Sequence, residues 1–509
     1  MEEFLINGAL KFLKMPFEPR LVWRLAAAAP LAALCACTVG PDYVDASSEL
    51  AVGDISEAHF YRDENLWKEA APADKLPKGD WWKVFGDGVL NDLLKLCKDN
   101  SPTLASAFYK IERAREAVRI DSAEFYPHVG ANGQFSRVSG SRNFNNSSTY
   151  NKWLVGLTYT WDLDLFGRVR SIVEADIADA EAQLYAYNSL MLSMQAKVAA
   201  EYFTIRQYIS EVDLLLRTIE VRKEQTELVR RRVKLNFSNE LDLQRALQQE
   251  YEAAAQLSTL ERQIALAKNR MAILIGLSPS SLVLNDAPLA AALPKLPDAV
   301  PSELLERRPD IAEAERRVYA ANRRIGVAQA GFFPTVSITA NTDLSANKIE
   351  KILQTSSFAW GVSPQVYIPV FQAGKVYAEK RVALAAHKEA LENYKAVVLA
   401  AIGDVENSLA EINYLKREYE KRSDVTKASI KVRELTQKQY DHGYVDYFSV
   451  SDAQRLALEN ERTQLQLRGS QFRACVSLIA SLGGGWKVSG EGAAPVEKPQ
   501  APAPWELYD

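Results

Sequence analysis

The sequence predicts an α+β membrane protein: a homotrimer sharing a 12-stranded transmembrane β-barrel, four strands per protomer, continued by a long α-helical barrel. Three observations carry that expectation. Four runs alternate strictly between apolar and polar residues, the helical segments are several times longer than a globular domain needs, and the whole pattern recurs at an offset of 207 residues.

A leader precedes these patterns. Lys11, Lys14, Arg20 and Arg24 come before an apolar run over 25–34, which ends in Leu34-Cys35-Ala36-Cys37. A positive start, a short apolar stretch and a small residue before the cut describe a signal peptide over 1–36, too short to span a bilayer as a helix. Leu34, Ala36 and Cys37 resemble a bacterial lipobox, which makes Cys37 the acylated first residue of the mature chain. The alternative is an ordinary signal peptide with two incidental cysteines. Either Met1 or Met15 can be the start, and Met15 leaves a leader of more usual length. No run of 18 apolar residues follows Cys37, so a membrane would have to be crossed by strands. Cys97 and Cys475 both lie in helical patterns and fit two free thiols as well as one disulfide.

Residues 37–101 form a lipidated N-terminal arm and the first helical order. Pro102 then suits the first turn of a new helix, which ends at Phe125-Tyr126-Pro127 because proline forces its predecessor out of the helical region. A hairpin over 127–166 follows. Val129, Ala131, Gly133 and Phe135 alternate before an Asn/Ser-rich tip, and Trp153, Val155, Leu157, Tyr159, Trp161 and Leu163 alternate after it. Between Arg168 and Ile275 there is neither Gly nor Pro, and the composition favours helix throughout. The interruption falls at 236–242, giving long helices over 168–235 and 239–275, the first about 100 Å long.

Self-comparison doubles this unit. Pro102 matches Pro309, Phe125 and Pro127 match Phe332 and Pro334, Trp153 matches Trp360, Gly167 matches Gly374, Asn236 matches Gly443, and Gly276 matches Gly483, every pair 207 residues apart. Seven landmarks in one register imply a duplicated structural unit rather than a short solenoid repeat. The first repeat is therefore 102–276 and the second 309–483, with a hairpin over 334–373 and helices over 375–442 and 446–482. A proline-rich linker, 277–308, joins them, and a Pro/Ala-rich, flexible tail, 484–509, follows. In the second hairpin Phe358, Trp360, Val362, Pro364, Val366, Ile368 and Val370 share one face. Ala175, Ala178 and Ala182, like Ala383, Ala386 and Ala390, allow close helix approach.

Four strands cannot close a barrel, since about eight is the smallest filled ring. An open edge is not tolerated in hydrocarbon, where backbone groups find no water. Closure must come from other subunits. Two protomers would give a barrel plugged by its own side chains, and three give twelve strands around a polar interior.

The chain resembles the outer membrane factor lipoproteins, the outer-membrane channels of bacterial tripartite RND-type efflux pumps. "CTVGPDY" (37–43), "WWKVFGDGVLNDLL" (81–94), "RRPDIAEAERRVYAANRRIGVAQAGFFPTVSIT" (307–339), "VFQAGK" (370–375) and "GGGW" (483–486) carry the resemblance in the family's order. It implies a lipid-anchored trimer in the bacterial outer membrane, extending into the periplasm, with an equatorial band of short helices and chain ends. It also implies a periplasmic adaptor and an inner-membrane RND-type transporter as partners.

No catalytic or cofactor chemistry is legible. His59, His128, His387 and His442 are widely separated, and neither glycine-rich stretch has the Lys-Ser/Thr of a phosphate loop. A net charge of −4 gives no basic footprint for nucleic acid. The functional chemistry belongs at the helical turns near Asn236 and Gly443. The resemblance puts an apolar constriction at Phe448, where the family often has Leu, and an acidic ring at Asp452. Asp446 and Arg245 lie beside them, Arg245 holding the first-repeat position that corresponds to Asp452. Arg245, or Arg230 to Arg232, is expected to pair with acids of a neighbouring helix and hold an iris-like mouth shut. The plainer alternative makes Asp452 a solvated helix residue and Phe448 a seam residue. The alternative functions are export of metal ions or proteins, or a periplasmic coiled-coil adaptor. Five Met and four His give little support to metal.

Overall fold

The computed structural model describes residues 39–44, 80–139, 149–290, 292–294 and 308–484. The expected signal peptide, Cys37, most of the expected arm, the expected first hairpin tip, part of the linker and the expected tail lie outside the described residues. The helices are α1 (Gly88–Asn100), α2 (Pro102–Ser122), α3 (Arg168–Lys234), α4 (Glu240–Leu274), α5 (Pro309–Ala330), α6 (Lys375–Asp441) and α7 (Tyr447–Ser481). The strands are β1 (His128–Ser139), β2 (Thr149–Leu163), β3 (Thr335–Ala346) and β4 (Phe358–Tyr367). α5, β3, α6 and α7 each begin 207 residues after α2, β1, α3 and α4.

Local chemistry sets these boundaries. Pro102 and Pro309 open α2 and α5 at the position where a missing N–H costs nothing. Each strand-to-long-helix turn needs a left-handed residue, Gly167 at φ 73° and Gly374 at φ 82°. The Asp164 carboxylate then accepts from the N–H groups of Val169 (3.1 Å) and Arg170 (2.9 Å), meeting the unpaired donors and the positive end of α3. α3 and α6 each run 67 residues, and α6 passes Gly403 without a break. Residues expected inside the long helices at their ends, Leu235, Asn239, Ile275, His442, Asp446 and Leu482, are caps instead. β4 stops at Tyr367 rather than continuing to Val370, because Pro369 has no N–H for a ladder.

The strands form one antiparallel sheet in the order β1-β2-β3-β4. Its register segregates the faces. The rows Gly133–Val155–Leu344–Phe358 and Val129–Tyr159–Ala340–Val362 are apolar across all four strands. The intervening row Gly130–Thr158–Asn341–Gly361 is small and polar. Gly156 and Gly361 leave space for Asp343 and Asn341, whose side-chain oxygens would lie 2.0 and 2.9 Å from an added Cβ. Trp360, Val362 and Val366 are exposed on the apolar face. β1 and β4 each have one neighbour, so the sheet ends in two unpaired edges.

The main core sits where α1, α3, α4 and α7 converge, around Trp81, Leu94, Tyr202, Phe203, Met271 and Phe472. Burying each such side chain contributes about 1.5–3 kcal/mol. Cys97 and Cys475 are both free and buried, and burial pushes each thiol up to about 11. Ala175 and Ala178 pack tightly against Ala320 of α5, as their spacing predicts, whereas Ala386 of α6 is exposed. The arm residues 39–44 run beside α5: the Val39 N–H donates to the Phe166 carbonyl (3.3 Å), and Tyr43 packs edge-on against Tyr319. No helix among the described residues is long and apolar enough to cross a membrane.

Candidate gate at the helical tips

The two helical hairpins turn by the same device. α3 ends with Asn236 left-handed at φ 60°, and α6 with Gly443 at φ 79°. The Phe237 N–H donates to the Arg232 carbonyl (2.8 Å) and the Asn236 N–H to Val233 (3.0 Å). Tyr444 to Gln439 (2.9 Å) and Gly443 to Tyr440 (2.9 Å) repeat the pattern, which satisfies carbonyls the helix itself leaves open. The returning helices are capped in register. Asn239 accepts from the Asp242 N–H (2.8 Å), and Asp446 from the N–H (3.0 Å) and hydroxyl (2.7 Å) of Ser449. Those two Ser449 bonds, with the nearby Arg245 charge, hold the Asp446 carboxyl below its ordinary range.

Three of the four expected gate residues meet. Arg245 of α4 lies over the Phe448 ring of α7, its Cζ 5.1 Å from the ring centre, and its charge reaches Asp446. Phe448 is 55% exposed, so it is not a seam residue of this chain. Asp452, one turn further along α7, is held by Arg455 of the same helix (2.8 Å) rather than by Arg245. The other arginines also differ from expectation: Arg230 pairs with Glu227 of its own helix (3.3 Å), Arg231 donates to the Glu227 carbonyl, and Arg232 stacks on Tyr440 of α6 (4.9 Å). Asp446 thus serves mainly as a cap, and Phe448 with Asp452 are the residues left to face outward.

Sequence reasoning missed what joins the hairpins. Tyr447, beside Phe448, is only 4% exposed and packs among Val229, Leu243 and Ala246, and burial pushes its hydroxyl up to about 12. Gln225 of α3 bridges α7 and α6, accepting from Gln454 (2.8 Å) and donating to Gln437 (3.4 Å). Arg222 is buried and donates to the Gln249 carbonyl of α4. The signal was available: Leu215, Ile219, Arg222, Thr226 and Val229, all buried, alternate by four and three residues. That is a heptad seam with two polar members.

The family described as "Outer membrane efflux protein" matches residues 93–277 and again 300–484. The chain is 29% identical over 457 residues to the solvent efflux pump outer membrane protein SrpC of Pseudomonas putida, covering 89% of this chain and 96% of SrpC. It is 27% identical over 457 residues to the cation efflux system protein CusC of Escherichia coli K12, covering 89% and 97%. The solved outer-membrane channel OprN superposes with a TM-score of 0.77 at 28% identity, covering 88% of this chain and all of that one.

Proposed function

Because the chain belongs to the outer membrane efflux protein family, we propose that it is the passive outer-membrane duct of a tripartite efflux system. It carries small toxic compounds outward and catalyses no reaction. Its partners are a periplasmic adaptor and an inner-membrane RND-type transporter.

One observation carries the membrane part of this reading: a four-stranded sheet with an exposed apolar face and two unpaired edges. In hydrocarbon each unpaired backbone group costs several kcal/mol, so the edges must join those of other protomers. Three protomers supply the twelve strands of a barrel with a polar lumen. The unpartnered apolar side chains of α6, among them Val382, Leu399, Val425 and Leu435, fit burial against a neighbouring copy. Both halves descend from one duplicated unit. Cys37 lies two residues before Val39, whose N–H is tied to Phe166 at the base of the sheet.

The mouth closes at the helical tips. Three copies of Phe448 resist wetting, and three copies of Asp452 repel anions just above them. Conductance of purified Asp452→Ala in planar bilayers is the test, and a value no higher than wild type removes the gate assignment. Deleting the protein and comparing sensitivity across a chemically diverse toxicant panel identifies the cargo. Selective sensitivity to copper or silver would favour the metal reading that the likeness to CusC raises.

A further inference from the structure

The helices next to the sheet form a row in which α2 packs on α3, α3 on α5, and α5 on α6. α2 and α6 end the row. Because α2 corresponds to α5 and α3 to α6 at an offset of 207 residues, a contact of α6 with α2 of a second copy would have α3 with α5 as its internal equivalent. That internal junction brings Ala175 and Ala178 against Ala320 and is crossed by ion pairs. Glu174 meets Arg323 (3.5 Å), and Asp179 meets Arg324. The corresponding residues of α6 and α2 are all exposed: Arg381 stands for Glu174, Glu116 for Arg323, Ala386 for Asp179 and Ala117 for Arg324. Glu116 pairs within its own helix, with Arg119 (2.7 Å), and Arg381 has no carboxylate partner among the described residues. One pair is thus present with its signs reversed, and the other has neither charge. A difference on one side alone would have left a lone charge at the junction; here both sides differ together.

We propose that the junction between protomers repeats the α3–α5 junction with its ion pair reversed, so that Glu116 of α2 meets Arg381 of α6 in the next copy. This rests on the trimeric duct reading above and says which surfaces make the ring. The contact is head-to-tail, the kind that closes into a ring when its rotation allows. The reversal also tells the two junctions apart. If α3 met α2 of another copy, Glu174 would face Glu116, and α6 on the α3-facing side of α5 would set Arg381 against Arg323. Like charges penalise both mispairings. The sheet follows the same rule. Carrying the β2–β3 register over to β4 and β1 of the next copy puts Gln365 opposite Gln134, Ser363 opposite Ser136 and Pro364 opposite Phe135. Polar residues meet polar and apolar meet apolar, which a one-residue slip would undo. Arg113 stands where Ala320 does, so the copied helix junction is wider than its template.

The test uses the full-length chain purified in detergent, with the trimer fraction read by native mass spectrometry at low salt, where charge pairs are least screened. Glu116→Arg and Arg381→Glu are each expected to lower that fraction several-fold. Combined, they should restore it to within two-fold of wild type, an outcome that misfolding of a single variant cannot imitate. A double variant no better than the worse single one would overturn the pairing. The strand register has its own readout. Ser136→Cys with Ser363→Cys, oxidised in isolated membranes, should give covalent dimers and trimers, because β2 and β3 keep the two positions apart within one chain. Equal or stronger cross-linking of Ser136→Cys with Gln365→Cys would overturn the register. Failure of the duct reading is separately visible, as wild-type protein that is not trimeric or that passes no current in planar bilayers.

Discussion

α3 and α6 are the same helix twice, 67 residues each and 207 apart, yet they live in different surroundings. α3 buries 24 residues among α1, α2, α4, α5 and α7, whereas α6 buries eight and packs chiefly on α5 and α7. The backbone instructions are the same in both: a left-handed entry turn, no proline, and one end motif. Yet α3 is the spine of the protomer, and α6 has apolar side chains facing outward. A helix can keep its shape while its role changes, because shape is set by local chemistry and role by what covers it.

The sharpest way to break this contrast is at Glu211 and its counterpart Glu418. Glu211 is fully buried in α3, accepting from Gln207 (3.0 Å) and facing Arg462 of α7 (3.3 Å), whereas Glu418 of α6 is exposed. Glu211→Ala removes the buried acceptor shared by Gln207, Gln466 and the part-buried Arg462 and is expected to cost about 1–3 kcal/mol. Glu418→Ala should stay within about 0.5 kcal/mol. Urea unfolding of both variants decides. Equal losses would mean that α6 is as deeply covered in the assembly as α3 is in one chain.

A second contrast concerns pH. Asp176 of α3 is pushed up to about 7, first by burial and then by Asp121 of α2, against the opposing charge of Arg324 of α5, with Asp179 of α3 adding to the rise. The corresponding positions in the second repeat are Ala383 and Ala328. The folded protein therefore holds a proton that the unfolded chain has already lost between pH 3.8 and about 7. Stability from this group is complete below that window and falls as pH rises through it. Melting curves of Asp176→Asn at pH 5 and pH 8 should lie closer together than those of wild type.

The proposed gate gives a third pair. Phe448→Ala should raise bilayer conductance several-fold, while Leu241→Ala, the same position in the first repeat, should leave it unchanged. A rise for Leu241→Ala would mean that both tips line the constriction. The smallest effect is expected at the turns. Asn236 and Gly443 occupy the same left-handed position, and Asn236→Gly should shift stability by less than about 1 kcal/mol in denaturant titration.

Much of this molecule is legible in its sequence because its strongest signals are periodic and local. Strand alternation from Val129 to Leu163 fixed which side chains share a face, and the register pairs them as alternation requires. Breakers such as Pro102 and Gly374 stand at the boundaries they mark. The tips were found, but their wiring was not. That Arg245 covers Phe448 while Asp452 turns to Arg455 depends on how two hairpins lie against each other, and no periodicity encodes that.

By itself the sequence determined the elements, their lengths and the two-faced sheet, since each follows from backbone sterics and the period of apolar residues. Only the tertiary structure decided which long helix is buried and where Tyr447 and Gln225 tie the hairpins. Those features depend on contacts between residues far apart in the chain. Equivalent residues such as Glu211 and Glu418 come to differ through their neighbours rather than through themselves.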